Sequence, residues 1–242
     1  MTLKTIKTSI VTAFALLCLI STAKAQSFAF GVYFDPQITW LHSDNSKKFN
    51  SHGALMTMCV GFDAEKYFAT RYSVVSGLAF NIVGGKATHI DASTIKSVNN
   101  SYELLPNADV KYRSQYLTIP LGLKFRSNEI GYTTIYASVG AKANIRLKGF
   151  TWVDQMSIIP NAEGVHPELN KEKSPEHFKG FWPAFYVQAG IEQSLGGSSS
   201  LQFGLTYTGG LMPIINADKA NGGDAKTTIT AHSIGLRIGF IF

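Results

Sequence analysis

Ala231-His232-Ser233-Ile234-Gly235-Leu236-Arg237-Ile238-Gly239-Phe240-Ile241-Phe242 reads as one strand with two unlike faces. His232, Ile234, Leu236, Ile238, Phe240 and Phe242 fall on one side, and Ala231, Ser233, Gly235, Arg237, Gly239 and Ile241 on the other, the period of two that alternation across a pleated strand requires. The side with the bulk decides the fold. Glycines, a serine and an arginine are poor material for a hydrophobic core, so the greasy row faces lipid and the polar row a narrow bore, as in a membrane barrel.

Seven earlier segments repeat the pattern. Phe28 to Trp40 sets Phe28, Phe30, Val32, Phe34, Ile38 and Trp40 against Tyr33, Asp35, Gln37 and Thr39. In Ala54 to Phe62 the outer row is Met56, Met58, Val60 and Phe62. Tyr72 to Ile82 places Val74, Leu78, Phe80 and Ile82 outward, against Arg71, Ser73, Gly77 and Asn81. Gln115 to Arg126 sets Leu117, Ile119, Leu121, Leu123 and Phe125 against Tyr116, Thr118, Gly122, Lys124 and Arg126. The next has Ile135, Ala137, Val139, Ala143 and Ile145 opposite Tyr136, Ser138, Gly140, Lys142, Asn144 and Arg146. Phe181 to Leu195 turns Phe185, Val187 and Ile191 out and Tyr186, Gln188, Gly190 and Glu192 in. Leu201, Phe203, Leu205 and Tyr207 oppose Ser200, Gln202, Gly204 and Thr206. Each is near the roughly 9 to 11 residues a tilted strand needs to cross a bilayer. The expected fold is therefore all-β: an eight-stranded antiparallel transmembrane up-and-down β-barrel.

The connections set its orientation. Those around Asp63 to Thr70, Ser127 to Gly131 and Gly196 to Ser199 are short, while His42 to His52, Gly84 to Ser114, Lys148 to Gly180 and Leu211 to Thr228 are long. Outer-membrane barrels have short periplasmic turns and long extracellular loops, so both termini are expected in the periplasm. Soluble domains seldom carry structureless loops of this length. Trp40, Tyr67, Phe68, Tyr132, Trp152, Trp182 and Phe242 lie near strand ends and are expected to form the interfacial girdles.

The N-terminal stretch fits export. Lys4 and Lys7 precede an apolar run from Ser9 to Ile20, and Ala23-Lys24-Ala25 offers small residues for cleavage before Gln26. The expected organisation is a cleaved signal peptide over 1–25 and a barrel domain over 26–242. Losing Lys4, Lys7 and Lys24 takes the formal charge from +6 to +3, so the basic composition says little about nucleic acid. Cys59 is then the one remaining cysteine, and no internal disulfide can form. A terminal strand ending on Phe resembles the signal read by the barrel assembly machinery, an expected partner together with outer-membrane lipid.

Lipid offers no hydrogen bonds, so every strand edge must be paired within the protein. Eight strands leave a bore only wide enough for their own side chains. Asp35, Arg71, Lys124, Lys142, Arg146, Glu192 and Arg237 are expected to share it in one polar network with Tyr33, Tyr136 and Tyr186. An unpaired charge there costs several kcal/mol, about enough to require that Asp35 and Glu192 each accept from a cation. Arg237 with Asp35, on the two strands that close the cylinder, is the first expected pair.

Ser114-Gln115-Tyr116-Leu117-Thr118-Ile119-Pro120-Leu121-Gly122-Leu123-Lys124-Phe125, with Gly77-Leu78-Ala79-Phe80 and Gly84-Gly85-Lys86 before it and Tyr136-Ala137-Ser138-Val139-Gly140-Ala141 after it, resembles the PorT-like outer-membrane β-barrel family of Bacteroidetes. Ala25-Gln26 is also the usual start of the mature chain in that family. The resemblance spans nearly all of the mature chain and carries no catalytic motif. It implies a barrel in the outer membrane of a Gram-negative cell envelope and, through some relatives, a link to gliding and the type IX secretion system.

Other chemistry finds little support. His42, His52, His89, His166, His177 and His232 have many serines nearby, and small barrels that hydrolyse or transfer lipid A acyl chains use a His with a Ser or acid; yet no spacing here specifies an oriented nucleophile and base. That enzyme is the alternative reading. His166, Glu168, Glu172, Glu176 and His177 could ligate a metal, but Lys171, Lys173 and Lys179 make the loop a mixed-charge surface, and no metal or cofactor is expected. Gly84-Gly85-Lys86 lacks phosphate-loop spacing, and no basic stripe supports nucleic-acid binding. A soluble lipocalin-like binder would need the two faces reversed. The expected role is non-catalytic: structural, or binding a surface ligand or secretion-system component through the long loops. Leu211-Met212-Pro213-Ile214-Ile215 and Met156-Ser157-Ile158-Ile159 are the apolar insertions that hint at docking there.

Overall fold

The computed structural model describes residues 28–44, 49–96, 101–153, 157–159, 172–173, 177–215 and 228–242. Its strands are β1 (Phe28–Ser43), β2 (Phe49–Gly53), β3 (Leu55–Ala69), β4 (Tyr72–His89), β5 (Ser93–Lys96), β6 (Ser101–Leu104), β7 (Ala108–Arg126), β8 (Thr133–Val153), β9 (Glu172–Lys173), β10 (Phe181–Gly196), β11 (Ser199–Gly210) and β12 (Ile229–Ile241). Eight long strands pair antiparallel in the order β1-β3-β4-β7-β8-β10-β11-β12, and β12 returns to β1. Closure runs from Ser43 opposite Ile229 to Gly31 opposite Ile241, and the Phe30 and Phe242 amides exchange bonds with each other's carbonyls at 3.0 and 2.8 Å. Every wall strand thus has two neighbours, the condition that hydrocarbon imposes.

The row that faces outward is apolar. Leu121, Phe203 and Ile238 are 60%, 40% and 41% exposed, whereas Lys124, Gln202 and Arg237 are 3%, 4% and 6% exposed. A soluble barrel would reverse those values. Short turns close the lower end, at Thr70-Arg71 between β3 and β4, around Gly131 (φ +65°) between β7 and β8, and at Gly196-Gly197 (φ +97° and +63°) between β10 and β11. Positive φ is open to glycine at no steric cost.

At the upper end the alternation inverts. Beyond Ile82 the inward residues of β4 and β7 are apolar, with Val83, Ala87, Val110 and Tyr112 buried, while Lys86, Thr88, Asp109 and Lys111 stand on the outer face. The strands keep their parity, and what changes with the solvent is the chemistry of each face: hydrocarbon surrounds the wall at the lipid belt and water surrounds it above, so the apolar residues there occupy the inward positions. These inner residues join Phe49, Ile95, Leu104, Ile158, Phe178, Trp182, Ile214 and Ile229 in one hydrophobic core that caps the barrel.

The cap revises several expectations. Gly84 to Ser114 is largely strand rather than loop, since β4 runs to His89, β7 begins at Ala108, and β5 and β6 form a hairpin between them. Ile82 is buried, not lipid-facing. There the pairing to β4 passes from Cys59 opposite Asn81 to Gly53 opposite Lys86, and in the gap the Gly84 amide donates to Thr39 Oγ1 at 3.2 Å. Trp182 leaves the girdle and plugs the bore, its indole donating to the Met212 carbonyl at 3.1 Å. Tyr67 also points inward, where the Arg126 guanidinium lies 4.9 Å from its ring centre. Ile158, Ile214 and Ile215 are consumed by the cap core, while Leu211 and Met212 stay exposed. Residues 1–27 and Met156 lie outside the described residues.

Candidate functional site

The lower half of the bore is filled by two ionic clusters. In the first, Arg237 on β12 clamps Asp35 of β1 through Nε and Nη2 at 3.0 and 2.9 Å, and reaches Asp63 of β3 through Nη1 at 2.9 Å. The guanidinium also lies flat over Tyr33, 3.6 Å from the ring centre. A planar fork suits this bidentate hold, which an ammonium would not reproduce. The clamp ties the last strand to the first.

The second cluster lies nearer the periplasmic end. Lys124 Nζ sits 2.5 Å from both Glu65 Oε1 and Glu192 Oε1, and Arg126 bridges the other oxygens of the same two carboxylates at 2.6 Å each. Ser73 and Gln202 add bonds to Glu65 and Glu192 at 3.3 Å. Lys142 stands apart, donating to Thr208 Oγ1 at 2.9 Å with its ammonium 5.3 Å from the Tyr186 ring centre. Asp35, Asp63, Glu65 and Glu192 thus pair with Arg237, Lys124 and Arg126, and Lys142, without a carboxylate within 4.0 Å among the described residues, brings the formal sum of the bore to zero. The pocket enclosed by Tyr33, Asp63, Glu65, Lys124, Lys142 and Arg237 holds about 10 Å³, room for roughly one water at most.

Bulky rings complete the filling because small residues face them. Tyr136 lies over Gly204, Tyr186 over Gly122 and Tyr33 over Gly61, where any added Cβ would strike the ring. Sequence placed these tyrosines and glycines inward, but not which strand each ring crosses to.

Of the residues expected in the bore, Asp35, Lys124, Lys142, Glu192 and Arg237 meet there. Arg71 does not: it occupies the two-residue turn after β3 and is exposed, so the reading that put it on the inward face with Ser73 extended the strand one residue too far. Arg146 is half-buried higher up and donates to the Phe178 carbonyl beneath the cap. Asp63, Glu65 and Arg126 were missed as members. The alternation Cys59, Gly61, Asp63, Glu65 carried the signal for two of them, but their charge suggested a turn.

Among the buried polar groups of the cap is His89, outside the membrane-spanning part of β4. His89 contacts Ser93 Oγ at 2.8 Å and Tyr112 Oη at 2.6 Å, edge-on to Phe49. Burial, aided by neighbouring His177, holds its imidazole down at about 3. It is therefore neutral.

A nucleophile beside an accessible base is not assembled among the described residues. His89 and Ser93 are buried in the cap. On the outer wall His52 Nδ1 is 3.0 Å from Thr88 Oγ1, but that hydroxyl donates to Asp109 at 2.6 Å, leaving no proton for the histidine to take. His232 stacks on Trp40 and Tyr207, with Nδ1 3.0 Å from the Tyr207 hydroxyl and Nε2 3.2 Å from Thr230 Oγ1, but the Thr230 hydroxyl donates to the His42 carbonyl at 3.4 Å and no carboxylate orients the ring among the described residues. His166, Glu168 and Glu176 of the mixed-charge loop weighed as a metal site lie outside the described residues, and His177 is buried. Groups of three or more ligating side chains are absent among the described residues.

A family model described as an outer membrane protein beta-barrel domain matches residues 24–216. The chain belongs to this family. It is thus an outer membrane protein β-barrel, located in the cell outer membrane. No curated protein matches its sequence. Among solved barrels it is similar to Ail, the attachment invasion locus protein of Yersinia pestis (13% identity, 90% of this chain and 100% of that one, TM-score 0.40), and to OprG of Pseudomonas aeruginosa (13%, 89% and 96%, TM-score 0.41). It is also similar to the outer membrane protease OmpT of Escherichia coli (6%, 92% and 99%, TM-score 0.39).

Proposed function

We propose that this outer membrane β-barrel acts without catalysis and without a transport path, as a rigid membrane anchor whose extracellular cap binds a surface ligand or partner. The observation that carries the reading is the doubly blocked bore: filled below by the two ionic clusters and closed above by the hydrophobic cap. Strands that continue past the lipid belt around their own core give the cap a fixed outer face, which suits recognition. Without an accessible nucleophile and base among the described residues, acyl chemistry has less to support it.

A narrower reading makes the partner a component of the type IX secretion system. It rests on the likeness of Ser114 to Phe125 to the PorT-like family of Bacteroidetes. Crosslinking in intact outer membranes, with the barrel purified and its adducts identified, tests it. Recovery of secretion components supports this role; their absence leaves the general cap-binding reading, which fails in turn if the purified barrel conducts ions steadily in a planar bilayer.

A further inference from the structure

Just above the lipid belt, the outer wall carries cations that lack carboxylate partners. Lys86 of β4 and Lys111 of β7 are direct cross-strand partners on the outward face. Like charges placed so oppose one another. Arg113 stands two residues below Lys111 on the same face, and Lys148 of β8 lies opposite Gln115. Among the described residues, none of these four has a carboxylate within 4.0 Å. The acid nearest in the register, Asp109, is engaged by Thr88 at 2.6 Å and by His52 at 3.7 Å.

Position and shape narrow the ligand. Reading up β7, the lipid-facing Leu121, Ile119 and Leu117 give way to Gln115, Arg113 and Lys111, and on β8 exposed Leu147 is followed at once by Lys148. The cations therefore begin where the hydrocarbon row ends, at headgroup height. Trp152, paired with Lys111 and 5.1 Å from its ammonium, stands beside them, as aromatic residues do at membrane interfaces. Lys86, Lys111, Trp152 and His52, together with Asp109, whose carboxylate is engaged by Thr88, line a hollow of about 300 Å³, the lower end of the volumes typical of ligand pockets.

We infer that this wall is a binding site for the phosphate groups of an outer-leaflet glycolipid, with Lys86 and Lys111 sharing one phosphate between them and Arg113 and Lys148 contacting the headgroup below. The occupant is a lipid rather than a free anion because the apolar belt directly beneath receives its acyl chains. Basic pockets on membrane proteins recognise anionic headgroups in the same way. The site faces sideways into the leaflet and does not depend on the docking role proposed for the cap.

The test is native mass spectrometry of the barrel in a maltoside detergent, titrated with bisphosphorylated lipid A, with enzymatically dephosphorylated lipid A, and with inorganic phosphate as competitor. Bisphosphorylated lipid A is expected to bind at least tenfold more tightly than the dephosphorylated form, more weakly as salt rises, and at least tenfold more weakly to K86Q/K111Q/R113Q. Equal binding of the two lipids, or an unchanged affinity in the folded triple variant, overturns the site. Displacement by millimolar inorganic phosphate overturns the lipid assignment. If the triple variant fails to show heat-modifiable gel migration, the two-lipid comparison and salt dependence on the unmodified barrel decide alone.

Discussion

Replacing Arg237 by Met tests whether the ion clamp closes the barrel. The substitution keeps much of the side-chain length and removes the donors to Asp35 and Asp63, both buried. Each abandoned carboxylate either stays charged, at about 3 to 5 kcal/mol for a broken buried pair, or takes up a proton. From an ordinary carboxyl value near 3.9, protonation at pH 7 costs about 4 kcal/mol. The two routes agree, so R237M should lose about 4 kcal/mol at pH 7 if one carboxylate is stranded, and up to about 8 if both are. In the variant the folded state holds protons that the unfolded chain has released, so its deficit should shrink by about 1.4 kcal/mol per carboxyl for each pH unit from 7 toward 4. D35N/D63N/R237M, which removes the stranded charges as well, should recover most of the loss. Urea unfolding from lipid vesicles, followed by gel migration of unboiled samples, measures all three. An R237M barrel within about 1 kcal/mol of the parent at pH 7, or one whose deficit ignores pH, would refute the reasoning.

On the lipid face, Leu121→Arg should cost about 2 to 4 kcal/mol in the same assay, as for a cation near the bilayer midplane; a cost no larger than that of Glu103→Arg on the exposed face of the cap would misplace the belt. Gly122→Ala sets a methyl against the Tyr186 hydroxyl and the Val139 carbonyl, and the overpacking should cost about 1 to 3 kcal/mol, visible as a lower urea midpoint; an unchanged midpoint would mean the ring does not lie across the glycine. His89, neutral in the fold with its value held at about 3, binds a proton below about 6.5 only when the cap opens. Cap stability is then complete above that pH and falls as pH drops through the window, by about 2 kcal/mol at pH 5. The protection factors of the Val110 and Tyr112 amides, which divide out the intrinsic slowing of exchange toward acid, should fall accordingly in the parent and lose that pH dependence in His89→Gln; identical protection profiles in the two would remove His89 as the cause.

The strands were legible wherever lipid was the outer solvent. Phe34, Leu121, Phe203 and Ile238 repeat at every second position because hydrocarbon accepts nothing else there, and one wrong step in register would turn the whole row inward. The clamp partners Asp35 and Arg237 stood out as charges in the inner rows of the closing strands. Asp63 and Glu65 were harder to place, because their charge made the last third of β3 read as the connection to β4, and Arg126, though in an inward row, ends its strand at the rim. Above the membrane the code fails for a physical reason: both faces of the sheet meet something other than lipid, so Gly84, Lys86 and Thr88 read as loop although they are strand. Trp182 looked like an interfacial anchor from its place near a strand end, and only its packing against Tyr116 and the Met212 carbonyl reveals a plug.

What the sequence determined by itself is the local alternation, and with it the number of crossings, their direction and the identity of the greasy wall, since each depends only on a residue's neighbours along one strand. Which charge meets which, where the bore turns from ionic to apolar, and the placing of Lys86 beside Lys111 on the outer wall were settled by the tertiary structure. Those relations join residues as distant as Asp35 and Arg237, and they exist only once the shear of the closed sheet has set the height of every strand against the next.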